Sequence, residues 1–198
     1  MRGDAARSLP HAEALLGLCR EHNIQSWAPT AGLVYGWARW HLGEREAGMA
    51  GMRQGAALFR QARVGVYIPF VGLALGEAQA QSDGPEAGLA TLDETLAENE
   101  RTGQRWLDAE LHRQRGQILL QGRLADTTAA EAAFTRAMEV AHGQQTKVFE
   151  LRAALSLAKL YDATGRGKMA REVLAPILAA FDKGQELPEI DEAKRLGA

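Results

Sequence analysis

Small residues recur along this chain at nearly fixed distances, and that recurrence limits the fold more than any single motif does. Gly36, Gly76, Gly116 and Ala158 follow one another at steps of 40, 40 and 42 residues, while Gly48, Gly88, Ala130 and Ala170 follow at 40, 42 and 40. The five glycines fall in stretches rich in Ala, Leu, Glu, Gln and Arg, where each costs about 1 kcal/mol relative to alanine in a helix. That cost is recovered where two helix backbones approach closely. Two interleaved series with one period therefore predict a repeated pair of helices that cross at small residues. Met52, Leu92, Phe134 and Leu174, each four residues after a member of the second series, are expected in the core.

No sustained alternation of apolar and polar residues argues for strands, so the expected class is all-α. Start signals divide the chain into helices. Ser8 with Pro10 opens one to about His22, and Ser26 with Pro29 opens the next, to about Leu42. Glu44 to Arg63 and Val66 to Gln81 follow. Asp83 and Glu86 have capping-box spacing before a helix to Thr102, and Thr128 with Glu131 repeats the box before one to His142. Between them lies Gln104 to Gln121. Gln145 to Ala163, Gly167 to Lys183 and Pro188 to Leu196 complete the set. Pro176 removes a backbone donor inside the ninth helix, which predicts a kink near Glu172. The expected division is a leading half-repeat at 1–23, serving as a cap or following an upstream segment, four helix pairs at 24–186, and a capping helix at 187–198.

Hydrophobic residues make up 46% of the 198 and charged residues 24%, a balance that supports a folded core rather than disorder. A net charge of -2 offers no basic face for DNA or RNA. No segment has the length of apolar residues needed to span a membrane, and no secretory leader is evident. One cysteine, Cys19, fits a reducing compartment, so the expected setting is cytoplasmic.

Catalytic chemistry finds no support in the motifs. Gly165-Arg166-Gly167-Lys168-Met169 lacks the first glycine and the hydroxyl of a phosphate-binding loop, and reads as a turn between helices. Cys19 and His22 are three apart, but the other histidines are dispersed, so no metal site is expected and Cys19 is assigned to apolar packing. Asp93, Glu94, Glu98 and Glu100 read as a solvated helix face rather than acid–base machinery. The chain is expected to be non-enzymatic, with no cofactor.

The small–large pattern, read as Ala158, Tyr161, Gly165, Ala170 and Leu174, resembles the tetratricopeptide repeat stretched to about 40 residues. The runs TGQRWLDAELHRQRGQILL, AEAAFTRAMEVA and QQTKVFELRAALSLAKLY, from a region covering about Ile24 to Leu196, resemble the C-terminal repeat tail of large bacterial proteins. Those proteins join a class III adenylate/guanylate cyclase or transcription-regulator domain to a P-loop ATPase. The resemblance implies a tetratricopeptide-like helical-repeat solenoid of antiparallel helix pairs, acting as a protein-interaction or regulatory module of a signalling protein. Its partner would be a protein or peptide, or a neighbouring domain of the same parent. A small-ligand sensor and a self-association module are the alternatives.

In tetratricopeptide arrays the first helix of each pair lines a groove. Carried over by register, that surface takes Trp37, Trp40, Leu73, Glu77, Glu110, Arg113, Gln117, Arg152 and Lys159. Arg113 interrupts an apolar stripe and must be paired or wet. Glu110 and Arg152 fall at equivalent positions, so an ion pair between them joined by Arg113 competes with an arginine notch for a carboxylate or phosphate. Trp27 and Trp106 are expected to wedge between repeats, and Trp37 and Trp40, if exposed, would anchor a peptide.

Overall fold

A computed structural model describes residues 4–61, 65–121, 126–181 and 185–197. Among them the chain is all-α: ten α-helices and no strand. In order these are α1 Ala5–Glu21, α2 Ala28–His41, α3 Arg45–Gln61, α4 Ile68–Ser82 and α5 Pro85–Thr102. Then come α6 Asp108–Leu119, α7 Thr127–Gly143, α8 Lys147–Ala163, α9 Gly167–Ala179 and α10 Pro188–Leu196. The expected helix ends at Arg63 and Lys183 lie outside the described residues. None of the described helices is long and apolar enough to cross a membrane.

The helices gather into two compact units, Met1–Gln104 and Arg105–Ala198. In the first, α2 packs on α3, α4 on α5, and α1 lies against α2. The glycines explain the closeness of these pairs. A Cβ added at Gly36 would stand 2.6 Å from the Met52 N and 2.7 Å from the Gly48 O, and one at Gly48 would stand 2.5 Å from Trp40 Cβ. One at Gly88 would meet the Gly76 O at 2.6 Å. Gly55 meets Leu33 and Gly48 meets Trp40, so contacts late in α3 fall early in α2 and the pair is antiparallel. Leu33, Met52, Phe59 and Leu92 are fully buried around these crossings; each such side chain contributes about 1.5–3 kcal/mol.

In the second unit α6 packs on α7, α7 on α8, α8 on α9, and α10 lies against α8 and α9. Gly116 faces the ring of Phe134, whose Cε1 would be 2.5 Å from an added Cβ. Ala130, Ala158 and Ala170 hold the other small positions and are buried, as are Phe134 and Leu174.

Several caps differ from expectation. Asp4, not Ser8, caps α1, its carboxylate accepting from the Arg7 N–H at 3.0 Å while Ser8 donates to the Asp4 carbonyl. Asp126, not Thr128, caps α7 by accepting from the Ala129 N–H at 2.9 Å. Gly84 precedes α5 at φ 105°, a backbone geometry that favours glycine, so the Asp83 box does not form. The helix α6 begins at Asp108 rather than Gln104, because the preceding residues turn: the Asp108 N–H donates to the Arg105 carbonyl and Arg105 Nε donates to Asp108 at 2.9 Å. Pro176 stands inside α9, which continues past it to Ala179.

Candidate functional site

The first helices of the pairs carry the candidate residues. In the first unit, α2 contributes Trp37 and His41 and α4 contributes Glu77. Trp37 is partly buried, with its ring 4.5 Å from that of His41, and His41 Nε2 is 3.5 Å from Glu77 Oε2. That contact carries charge only when the imidazole is protonated. Trp40 corrects expectation: it is 4% exposed, packed where α2 meets Gly48, and it belongs to the core rather than to a peptide groove. Trp40 lies against Gly48 of α3, while Trp37, three residues earlier, is only partly buried. Arg45 lies over the Trp40 ring at 5.0 Å. Leu73 is buried as well.

In the second unit the charges form a chain across three helices. Arg113 holds Glu110 in a two-pronged contact, Nε to Oε1 and Nη2 to Oε2, both 3.0 Å. Glu110 is only 4% exposed, and the cost of burying a charge is offset by such paired hydrogen bonds. Arg152 of α8 places Nη1 3.9 Å from Glu110 Oε2 and binds Glu189 of α10 at 2.8 Å. The ion pair expected between Glu110 and Arg152, joined by Arg113, is therefore present, and it continues to a fourth member. Lys159 of α8, exposed at its tip, pairs with Glu192 of α10 at 2.8 Å. Gln117 is exposed on α6, one turn beyond Arg113.

Sequence reasoning missed Glu189 and Glu192. They stand three apart on one helix face, but their separations from Arg152 and Lys159, 37 and 33 residues, fall short of the 40-residue period and do not point to the pairing. Burial alone would push the Glu189 carboxyl up, but its own backbone N–H and Arg152 outweigh this and hold it below the usual carboxylate range. Helix starts favour a carboxylate for the same reason.

A second network ties α7, α8 and α9. Tyr161 donates to Glu131 at 2.9 Å, Arg166 Nη1 binds the other oxygen at 2.7 Å, and the guanidinium lies 4.5 Å over the Tyr161 ring. Glu131, expected to close a capping box, instead reaches across helices. Of the expected turn at Gly165–Met169, Gly165 turns at φ 74°, whereas Gly167, Lys168 and Met169 already begin α9. Trp27 and Trp106 do not wedge between repeats: they are 50% and 44% exposed, sitting in the turns just before α2 and α6. Cys19 is buried, and Asp93, Glu94 and Glu100 are exposed on α5. Among the described residues no group of three or more His, Cys, Asp or Glu is placed to hold a metal ion.

Two open clefts accompany these faces. One, of about 330 Å³, is lined by Arg45, Met49, Arg53 and Asp83 among others. The other, of about 420 Å³, is lined by Asp162, Arg171, Glu192, Arg195 and Leu196.

Paired helices crossing at small residues, with a recurrent period and no strand among the described residues, define a tetratricopeptide-like helical-repeat protein. Among solved structures, the chain is similar to one described as the crystal structure of MamA protein, with a TM-score of 0.55 and 14% identity over 92% of this chain and all of that one. At that identity the likeness concerns the fold. No protein-family model matches the chain, and no curated protein does.

Proposed function

We propose that this chain is a non-catalytic protein-interaction module that holds a peptide or a neighbouring domain against the first helices of its repeats. Residues 24–186 would be four repeats, with 1–23 leading and 187–198 capping them, in the cytoplasmic part of a bacterial signalling or transcription-regulatory protein. The parent rests on the resemblance of the repeat sequences alone. The observation that carries the binding role is the charged chain Arg113, Glu110 and Arg152 beside the exposed Gln117. Paired charges on an ordered helix face give register and selectivity to a polypeptide partner more than bulk affinity. A sensor would instead require polar groups converging in an enclosed cavity.

Site-directed photo-cross-linking tests this. A cross-linking amino acid at position 117 should give a discrete protein adduct in soluble extract of the native host, and the same group at position 136, on the exposed part of α7, should not. Equal labelling from both positions, or none from 117, would discard the reading. A metabolite that raises Tm by several degrees without any adduct would move the choice to the sensor.

A further inference from the structure

Among the described residues α10 is the shortest α-helix, at 9 residues, below the ~12–15 at which isolated helices become even marginally stable in water. It therefore depends on its seat against α8 and α9. Its hold on that seat is modest: α10 fully buries Ile190 and Ala193, with Leu187 and Leu196 partly buried against the same cluster, whereas α8 buries eight residues. Two of its charges meet opposite ones on α8, Glu189 with Arg152 at 2.8 Å and Glu192 with Lys159 at 2.8 Å. The pairings run in the same order along both helices, so α10 lies parallel to α8. Beside it the cleft of about 420 Å³ leaves its C-terminal half incompletely packed.

On the receiving side, Arg152 retains Glu110 as a neighbour at 3.9 Å, and Glu110 is held by Arg113. Removal of α10 would thus leave a seat that is electrostatically organised and carries an excess of positive charge.

We propose that the α8–α9 face under α10 is a docking surface for an acidic amphipathic helix supplied by a partner protein, and that α10 is its resident, displaceable occupant. The ligand's chemistry is read from α10: two glutamates three apart, with an isoleucine and an alanine each following one of them, as in Glu189-Ile190-Asp191-Glu192-Ala193. The inference rests on the protein-interaction reading and names the partner class for that face. It also makes binding self-limited, since a partner must compete with a segment held at high local concentration.

The test uses the full chain carrying Ile190→Asp and Ala193→Asp, which frees the seat, and a labelled peptide with the sequence of residues 186–197. By fluorescence anisotropy the released variant should bind the peptide at least about tenfold more tightly than the unmodified chain does. Adding Arg152→Glu should weaken that binding by about tenfold or more, and a peptide carrying Glu189→Lys should regain it. No binding by a released variant of unchanged helical circular dichroism, equal binding by both chains, or indifference to charge reversal would overturn the proposal. So would assembly of the released variant into dimers that no longer take the peptide, which would assign the face to a second copy. Hydrogen exchange on the unmodified chain does not depend on any variant folding: α10 amides should exchange at least about tenfold faster than those of α8. Exchange of α10 only together with α8 and α9 would sink the idea. A chain that gives an adduct from position 117 yet ignores the peptide loses this inference alone.

Discussion

The two units fill one repeat register with opposite chemistry. Glu110 and Arg113 of α6 have Phe70 and Leu73 of α4 forty residues earlier, and Leu33 of α2 stands at the Arg113 position again. In the first unit those three places are apolar, although Thr30 stands at the Glu110 position of α2, and its helix pairs approach until backbone meets backbone at Gly36, Gly48 and Gly88, with Gly76 against the Leu92 side chain. In the second unit alanine or a phenylalanine ring occupies most crossings, and the freed surface carries ion pairs that pass from α6 through α8 to α10. The difference shows that the period prescribes where helices cross, while the residues at the crossing decide whether the adjoining face is core or site.

The sharpest way to break this contrast is to remove one charge. Glu110→Ala leaves two arginine side chains, both largely buried, without the carboxylate between them, and should cost about 3 kcal/mol in urea unfolding of the second unit. Replacing both members with the first unit's residues, Glu110→Phe with Arg113→Leu, should restore stability to within about 1 kcal/mol of the original, because a buried ion pair is often no better than packed apolar groups. A double variant as unstable as the single one would show that the two units are not interchangeable at this position.

The crossings come next. Gly36→Ala pushes a methyl against the Met52 N and the Gly48 O, which cannot rotate away, so a loss of about 2 kcal/mol is expected. Gly116→Ala meets the Phe134 ring instead. A ring can tilt, and alanine recovers about 1 kcal/mol of helix propensity, so the net loss there should be under about 1 kcal/mol. Equal losses in denaturant titrations of the two variants would mean that both crossings are equally rigid.

The helices and their crossings were legible because glycine inside a helix is costly and therefore informative: Gly36, Gly76 and Gly116 lie where the period puts them. Caps were less legible because candidates compete within a few residues. Asp126, Thr127 and Thr128 can all accept a first-turn N–H, and the choice is made by how the preceding segment enters the helix. The site was half legible. Glu110, Arg113 and Arg152 were found by register, but their continuation to Glu189 depends on where a nine-residue helix docks, which no local pattern states. Trp40 was misplaced for a related reason: Trp37 and Trp40 are three apart, and the line between surface and core falls between them.

The smallest effect concerns pH and the network joining α7, α8 and α9. The Arg166 guanidinium, against the opposing effect of burial and with help from the Tyr161 hydroxyl, holds the Glu131 carboxyl below its ordinary value. A carboxyl depressed in the folded chain adds stability that is fully present above its unfolded value of about 4.5 and is lost as pH falls through the folded one. Burial, then the hydrogen bond to Glu131, pushes the Tyr161 hydroxyl above its ordinary value. Its contribution is therefore complete below about pH 10 and disappears as pH rises through the folded value. Glu131→Gln keeps an acceptor for the tyrosine but cannot ionise, so it should flatten the acid limb of the second unit's stability by under about 1 kcal/mol. Tyr161→Phe should flatten the alkaline limb and leave most of the acid limb in place, since Arg166 still pairs with Glu131. Urea midpoints from about pH 3 to about pH 11 read both limbs; an acid limb unchanged in Glu131→Gln would remove this network from the forces that distinguish the second unit from the first.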